Sequence, residues 1–186
     1  MTVFYIALGM VLTLAVLWLG RRFSGFTAQT PDDYAQDTQQ FDIRRDLNGP
    51  LICDGVIYGP MGRVVSRFTG DFDVRWDGNR GVMTEHFKYE SGGEQHRYWE
   101  LTVGNDGAIR ASAPDLVGEG TGAQRGGAVC LRYRIRLPED SGGHVLDTTD
   151  WMYLTPNGTI VNRSQFRKYG LKVAELVATM RKVEPA

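Results

Sequence analysis

The sequence predicts an all-β domain, an antiparallel up-and-down barrel, carried behind one N-terminal transmembrane helix. Three observations predict it. Residues 3–20 (VFYIALGMVLTLAVLWLG) contain no charge. From Leu51 onward the apolar residues recur with a period of two, the signature of half-buried strands. Glycine is abundant, 23 residues of 186, and falls at turn-like positions without a repeating triplet. The charges nearly cancel, 21 basic against 22 acidic. That balance and a 42% hydrophobic share argue against intrinsic disorder and against nucleic-acid binding by bulk charge.

The first element is the apolar run. A helix over residues 3–20 reaches about 27 Å, enough to cross a bilayer core. A cleaved signal peptide is the competing account, but Met1 and Thr2 supply no cationic lead and no A-x-A-like site follows Trp18. No Cys ends the run, so lipoprotein processing is excluded. Residues 1–22 therefore read as a single-pass membrane anchor, and Arg21 and Arg22 directly after it favour a cytoplasmic placement of the rest. Residues 23–45 are polar and Gln-rich with no sustained period, a tether whose Tyr34 and Phe41 are available to dock. Residues 46–183 are left as one domain of ordinary size.

Within that domain the strands are expected at 51–58, 63–76, 81–90, 94–103, 108–113, 127–137, 144–154 and 159–169. Asp77-Gly78, Asn105-Asp106-Gly107 and Asn157-Gly158 among the intervening turns tolerate the positive φ angles of tight hairpins. No amphipathic helix of convincing length interrupts the series, which excludes parallel crossovers. Residues 171–182 fit either a short helix or an alternating strand, and a final closing strand is the preferred reading. So many antiparallel strands leave costly open edges unless the sheet closes on itself, which favours a barrel over a sandwich.

Turn chemistry suggests a register. With Ser91-Gly92-Gly93 as a three-residue loop, Phe87 opposes Arg97 and Glu85 opposes Trp99. With an Asp77-Gly78 turn, Phe72 opposes Met83. One face then carries Phe72, Met83, Glu85, Phe87, Arg97, Trp99 and Leu101: an apolar lumen with one acid and one base on diagonal positions. Pairing across Asn157-Gly158 sets Met152 opposite Arg163 and Asp150 opposite Gln165, which makes Asp150 and Arg163 a diagonal ion pair. These nine residues are the candidate ligand-binding set. Residues 129–137 alternate Val129, Leu131, Tyr133, Ile135 and Leu137 against Cys130, Arg132, Arg134 and Arg136. The arginine row reads first as a solvated face and second as an anion-binding stripe.

Catalytic and cofactor signatures are not found. His86 and His96 share one side of a hairpin, but without an evident third ligand they are not expected to hold a metal. Cys53 and Cys130 lack redox spacing and read as two buried thiols. No nucleophile elbow, phosphate loop or zincin motif occurs, and Gly118-Glu119-Gly120-Thr121-Gly122 is better read as a bend or bulged strand at a barrel corner. Neither an enzymatic activity nor a cofactor is expected.

A resemblance emerges from motifs in order: Leu47-Asn48-Gly49, Gly62-Arg63-Val64-Val65, Trp76-Asp77-Gly78-Asn79, Glu85-His86-Phe87-Lys88-Tyr89, Arg97-Tyr98-Trp99, Asp115-Leu116-Val117-Gly118, Asp150-Trp151-Met152-Tyr153-Leu154, Asn162-Arg163 and Lys168-Tyr169-Gly170. Over about residues 34–182 the chain resembles an uncharacterised family of bacterial envelope proteins, domain of unknown function 3833. The family is similar in build to lipocalins, and many of its members are lipoproteins. The resemblance implies a lipocalin/calycin-like barrel, single-pass attachment to a bacterial inner membrane, a periplasmic placement and no established activity. A hydrophobic anchor here replaces the lipidated Cys, and the arginines after it point to the other side of the membrane.

The leading functional expectation is a membrane-anchored barrel that holds a lipid or small amphiphile in its lumen, with Glu85 and Arg97 orienting the polar end. The alternatives are an interaction module with a filled barrel and an enzyme that uses a lumen carboxylate, Glu85 or Asp150, as acid or base. The expected partners are the bilayer, through the helix, and a small hydrophobic ligand, not nucleic acid.

Overall fold

The computed structural model describes residues 1–183, apart from the side chains of Arg21, Arg22 and Asp140. The charge bias read from Arg21 and Arg22 lies outside the described residues. Helix α1 covers Thr2–Phe23, a 3-10 turn covers Pro31–Tyr34, and the single-turn helix α2 covers Ile43–Asp46. Ten strands follow: β1 Gly49–Tyr58, β2 Val64–Asp77, β3 Arg80–Tyr89, β4 Glu94–Val103, β5 Ala108–Ser112, β6 Gly120–Arg125, β7 Ala128–Arg136, β8 Val145–Leu154, β9 Ile160–Lys168 and β10 Leu171–Lys182. Each pairs antiparallel with its neighbours in sequence, and β10 closes on β1 from Leu51↔Lys182 to Tyr58↔Glu175. The result is a lipocalin-like closed barrel with no free edge strand among the described residues.

The closing strand falls where the alternation placed it, over residues 171–182. One strand beyond those expected is β6, the glycine-rich stretch. Its glycines serve close approach: a Cβ on Gly122 would run into the carbonyl of Cys130 on β7. Alternation is invisible in such a strand because two of its six residues are glycines and carry no side chain.

The expected registers need correction at three hairpins. Asp77 pairs with Arg80, so the β2–β3 turn is Gly78-Asn79, and Phe72 opposes Glu85 rather than Met83. The Tyr89 amide donates to the Gly93 carbonyl, so the β3–β4 loop is Glu90-Ser91-Gly92, and Glu85 directly opposes Arg97. Both corrections are slips of two residues, which leave every side chain on its expected face. The β8–β9 correction is a slip of one. Thr155 closes on Thr159 around a three-residue loop, so Asp150 opposes Ser164 and Arg163 opposes Trp151. A one-residue slip reverses faces, and Arg163 points outward while Asp150 points inward. The expected Asp150–Arg163 ion pair does not form.

The lumen is packed with side chains. Phe68, Phe72, Trp99, Leu101, Val103, Leu131 and Met152 belong to one buried cluster, with Met83 and Phe87 packed against it. Trp76 lies flat over the strand beside it, where a Cβ on Gly81 would come within 2.7 Å of its ring. The segment before β1 packs more closely than a tether. Phe41, Ile43 and Leu47 join the core, the Phe41 amide donates to the Gly126 carbonyl at 2.7 Å, and the Trp76 indole donates to the Leu47 carbonyl at 2.9 Å. Together they stopper the barrel end formed by the β2–β3, β4–β5 and β6–β7 turns. Outside the wall, Phe26 and Tyr34 cover Cys130, Trp151 and Tyr153 on β7 and β8, and Arg163 lies 4.9 Å over the Phe26 ring.

Candidate functional site: a polar cluster at an opening in the barrel wall

The wall has a local defect, and it follows from strand length. β5 is five residues long, so it covers β4 only between Glu100 and Val103. The chain then leaves the ladder and runs along β7 instead, where the Val117 amide donates to the Arg134 carbonyl and the Arg136 amide to the Asp115 carbonyl, each at 2.8 Å. Residues 94–99 of β4 consequently have no strand partner on that side among the described residues. A cleft of about 590 Å³ lies there, lined by Glu85, Gln95, Arg97, Tyr98, Pro114, Asp115 and Pro138 and also by Asp71, Thr84, His86 and His96.

Side chains bridge the defect where backbone does not. Arg97 Nε donates to Asp115 Oδ2 at 2.7 Å and Nη2 to Asp115 Oδ1 at 3.3 Å. On the other side Arg97 Nη1 donates to Glu85 Oε2 at 3.4 Å, and that oxygen also accepts from the Trp99 indole at 3.1 Å. The guanidinium carbon stands 4.5 Å above the Trp99 ring, a cation–π contact that fixes the plane of the fork. Deeper in the lumen Asp150 accepts from Asn162 Nδ2 and from Ser164 Oγ at 2.9 Å. The neighbouring Thr148 hydroxyl is buried with no hydrogen-bond partner among the described residues.

Electrostatics follow from burial. Glu85 is pushed above the ordinary carboxylate range by burial, with the Asp150 charge adding to the rise and Arg97 and the Trp99 indole opposing it. Burial likewise raises Asp150 against its hydrogen-bond donors. For Arg97 burial works against the charge, but Glu85 and Asp115 outweigh it and hold the guanidinium protonated. Burial, followed by the charge of Glu85, lifts the Cys53 thiol to about 12. An inward thiol of that kind is no nucleophile at neutral pH. The cluster can hydrogen-bond a ligand and store a proton; it does not pair a nucleophile with a base.

Of the nine candidate residues, Phe72, Met83, Glu85, Phe87, Arg97, Trp99, Leu101 and Asp150 stand on the inner face. The apolar ones mostly meet one another, with Phe72 and Phe87 edge to face at 5.2 Å and Trp99 and Tyr133 at 5.2 Å. Arg163 is outside, donating through Nε to Glu175 Oε1 at 2.6 Å. The structure adds Asp115, Tyr133, Asn162, Ser164 and Thr148. Asp115 sits in an irregular segment that carries no period to read. Asn162 and Ser164 were one register step away, and Tyr133 stood on the apolar face without being singled out. Cys53 points inward and Cys130 outward, both free and buried.

Residues 21–182 match the model of a family described as "Protein of unknown function (DUF3833)". The chain belongs to this family. In this DUF3833 protein the matched span takes in the docked segment and the whole barrel, through the last residue of β10, and leaves out nearly all of α1. Among solved structures, the S-type phycobiliprotein lyase of Guillardia theta is similar, with a TM-score of 0.58 at 7% identity over 85% of this chain and 99% of the lyase. That likeness establishes a shared fold. No curated protein matches the chain.

Proposed function

We propose that this DUF3833 protein is a membrane-anchored barrel that binds a small amphiphile at the opening between β4 and the 113–119 segment, with the ligand's polar end on Arg97. The observation that carries the reading is the placement of three charge-bearing side chains, Glu85, Arg97 and Asp150, inside a barrel whose interior is otherwise mostly apolar, with the first two lining a cleft open to solvent. A structural core has no use for buried charges that apolar residues would replace at no loss of stability. Three hydrogen bonds occupy part of the five-donor guanidinium, and two of them are long, so donors remain for a carboxylate or phosphate. Pro114, Pro138 and Tyr98 offer apolar surface to the ligand's body. Helix α1 supplies the anchor: residues Thr2–Gly20 are long and apolar enough to cross a membrane, and none of that stretch is buried by the rest of the chain. Holding the site beside a bilayer raises the local concentration of any ligand drawn from it.

The test is native mass spectrometry of the full chain, purified in detergent from its own host, followed by titration with a fluorescent fatty acid. A co-purifying amphiphile mass, and probe binding weakened at least about tenfold in Arg97→Leu, supports the proposal; charge-assisted hydrogen bonds of this kind contribute about 1.5–3 kcal/mol. An empty chain that ignores the probe ends it. The packing of Phe68, Phe72, Phe87 and Trp99 favours a second reading, an interaction module with a filled barrel, and that empty result would select it.

A further inference from the structure

The geometry points to a divalent transition-metal site on the outer face of the β3–β4 hairpin, formed by His86, His96 and Glu94. The corrected register creates it. His86 and His96 are directly opposed across the two strands, their rings stacked with centroids 4.1 Å apart. Glu94 lies two residues before His96, hence on the same face of β4, and its Oε2 stands 2.8 Å from His86 Nε2. One ligand atom from each of the three residues falls within 4.8 Å of the others. The third ligand that sequence reading did not find is therefore supplied by the loop-proximal end of the same hairpin.

Two neutral imidazoles and one carboxylate form a donor set that zinc takes at open sites, with further positions left for water or substrate. A tetrahedral shell with bonds of about 2.0–2.1 Å brings ligand atoms to about 3.3 Å from one another. The contraction from 4.8 Å requires only small pivots of the two rings and the carboxylate. These are side chains free to pivot, because His86 is partly exposed and Glu94 and His96 are exposed. The backbone does not have to move, since the three Cα positions are fixed by a continuous ladder. Asp71 of β2 opposes His86 on its other side and completes a polar row across three strands. It is held by Lys88 Nζ at 2.9 Å, an arrangement suited to an outer partner rather than a ligand. His86 and His96 are also among the residues that line the cleft between β4 and the 113–119 segment. The metal site does not depend on amphiphile binding.

Isothermal titration of the untagged full chain in detergent with zinc chloride tests the site. One zinc per chain is expected, weakened at least about tenfold by Glu94→Gln and by either histidine alone changed to Ala, and lost in the His86→Ala/His96→Ala double variant. Circular dichroism melts in chelator establish that the variants remain folded. A second readout needs no variant: one equivalent of zinc should move the imidazole proton resonances of His86 and His96 and leave those of His144, which lies against Lys168 in another hairpin, in place. No binding heat up to about 1 mM zinc overturns the assignment. So does undiminished binding in the double variant, or an equal response of all three histidines.

Discussion

Replacing Arg97 by Leu removes the cation that spans the wall defect and leaves two carboxylates facing each other across it. The side chains are well shielded, with Arg97 13%, Glu85 8% and Asp115 26% exposed. Removing one partner of a buried pair costs about 3–5 kcal/mol, because the other charge stays behind without compensation. For a chain of this size each kcal/mol moves the melting temperature by about 2–4 °C, so Arg97→Leu should melt about 6–20 °C lower at pH 8. The loss must depend on pH. Glu85 is already raised in the folded state, and removal of Arg97 raises it further, so the folded variant retains a proton that the unfolded chain releases. More protons on the folded form mean stability that is fullest below the unfolded carboxyl value and falls as pH rises toward the folded one. The deficit of Arg97→Leu should therefore be smaller at pH 5 than at pH 8, and adding Glu85→Gln should recover most of it. Circular dichroism melts of the full chain in detergent, at both pH values and for both variants, decide the matter. An equal deficit at pH 5 and pH 8, or no recovery from Glu85→Gln, would refute the account of a charge trapped at the opening.

Two further expectations follow from the packing. Phe41 is buried to 3% exposure in the stopper ahead of β1, and Phe41→Ala should cost about 3–5 kcal/mol in urea unfolding of the full chain; a loss under about 1 kcal/mol would mean that the segment before the barrel is dispensable. Cys53 and Cys130 are buried, with thiols pushed up to about 12 and about 11, so neither should react with a disulfide reagent in the folded chain at pH 8 and both should react in denaturant. Fast labelling without denaturant would contradict the closed wall on both of its faces.

How much of this was legible in the sequence depends on the kind of signal. Strand identity came through wherever polar and apolar residues alternate, as in Val129 to Leu137, because a half-buried strand must present two chemically different faces. It failed at Gly120–Arg125, where glycine removes the contrast. Registers failed for a local reason. Gly78, Gly92 and Gly158 all take positive φ, but a glycine in that region is compatible with more than one placement of the turn around it. At β2–β3 and β3–β4 the error was two residues and harmless to the lumen assignment. At β8–β9 it was one residue, and it exchanged Ser164 for Arg163 as the neighbour of Asp150. Asp115 was illegible because its role depends on β5 ending early, a property of spatial closure and not of local pattern.

The docking of Phe26 has a consequence for where the cleft faces. Helix α1 ends at Phe23, and Phe26 is already seated on the outside of β7 and β8. The intervening leash spans at most about 10 Å. If α1 lies in a bilayer, as proposed, the barrel is bolted to the lipid surface by its β7–β8 flank and has no radius to roam. In the ten-strand circle, β4 stands three positions from β7 and β3 five positions from β8. The histidine pair is thus turned away from the bolted flank, while the cleft lies between the two, one of its walls being the 113–119 segment that runs along β7.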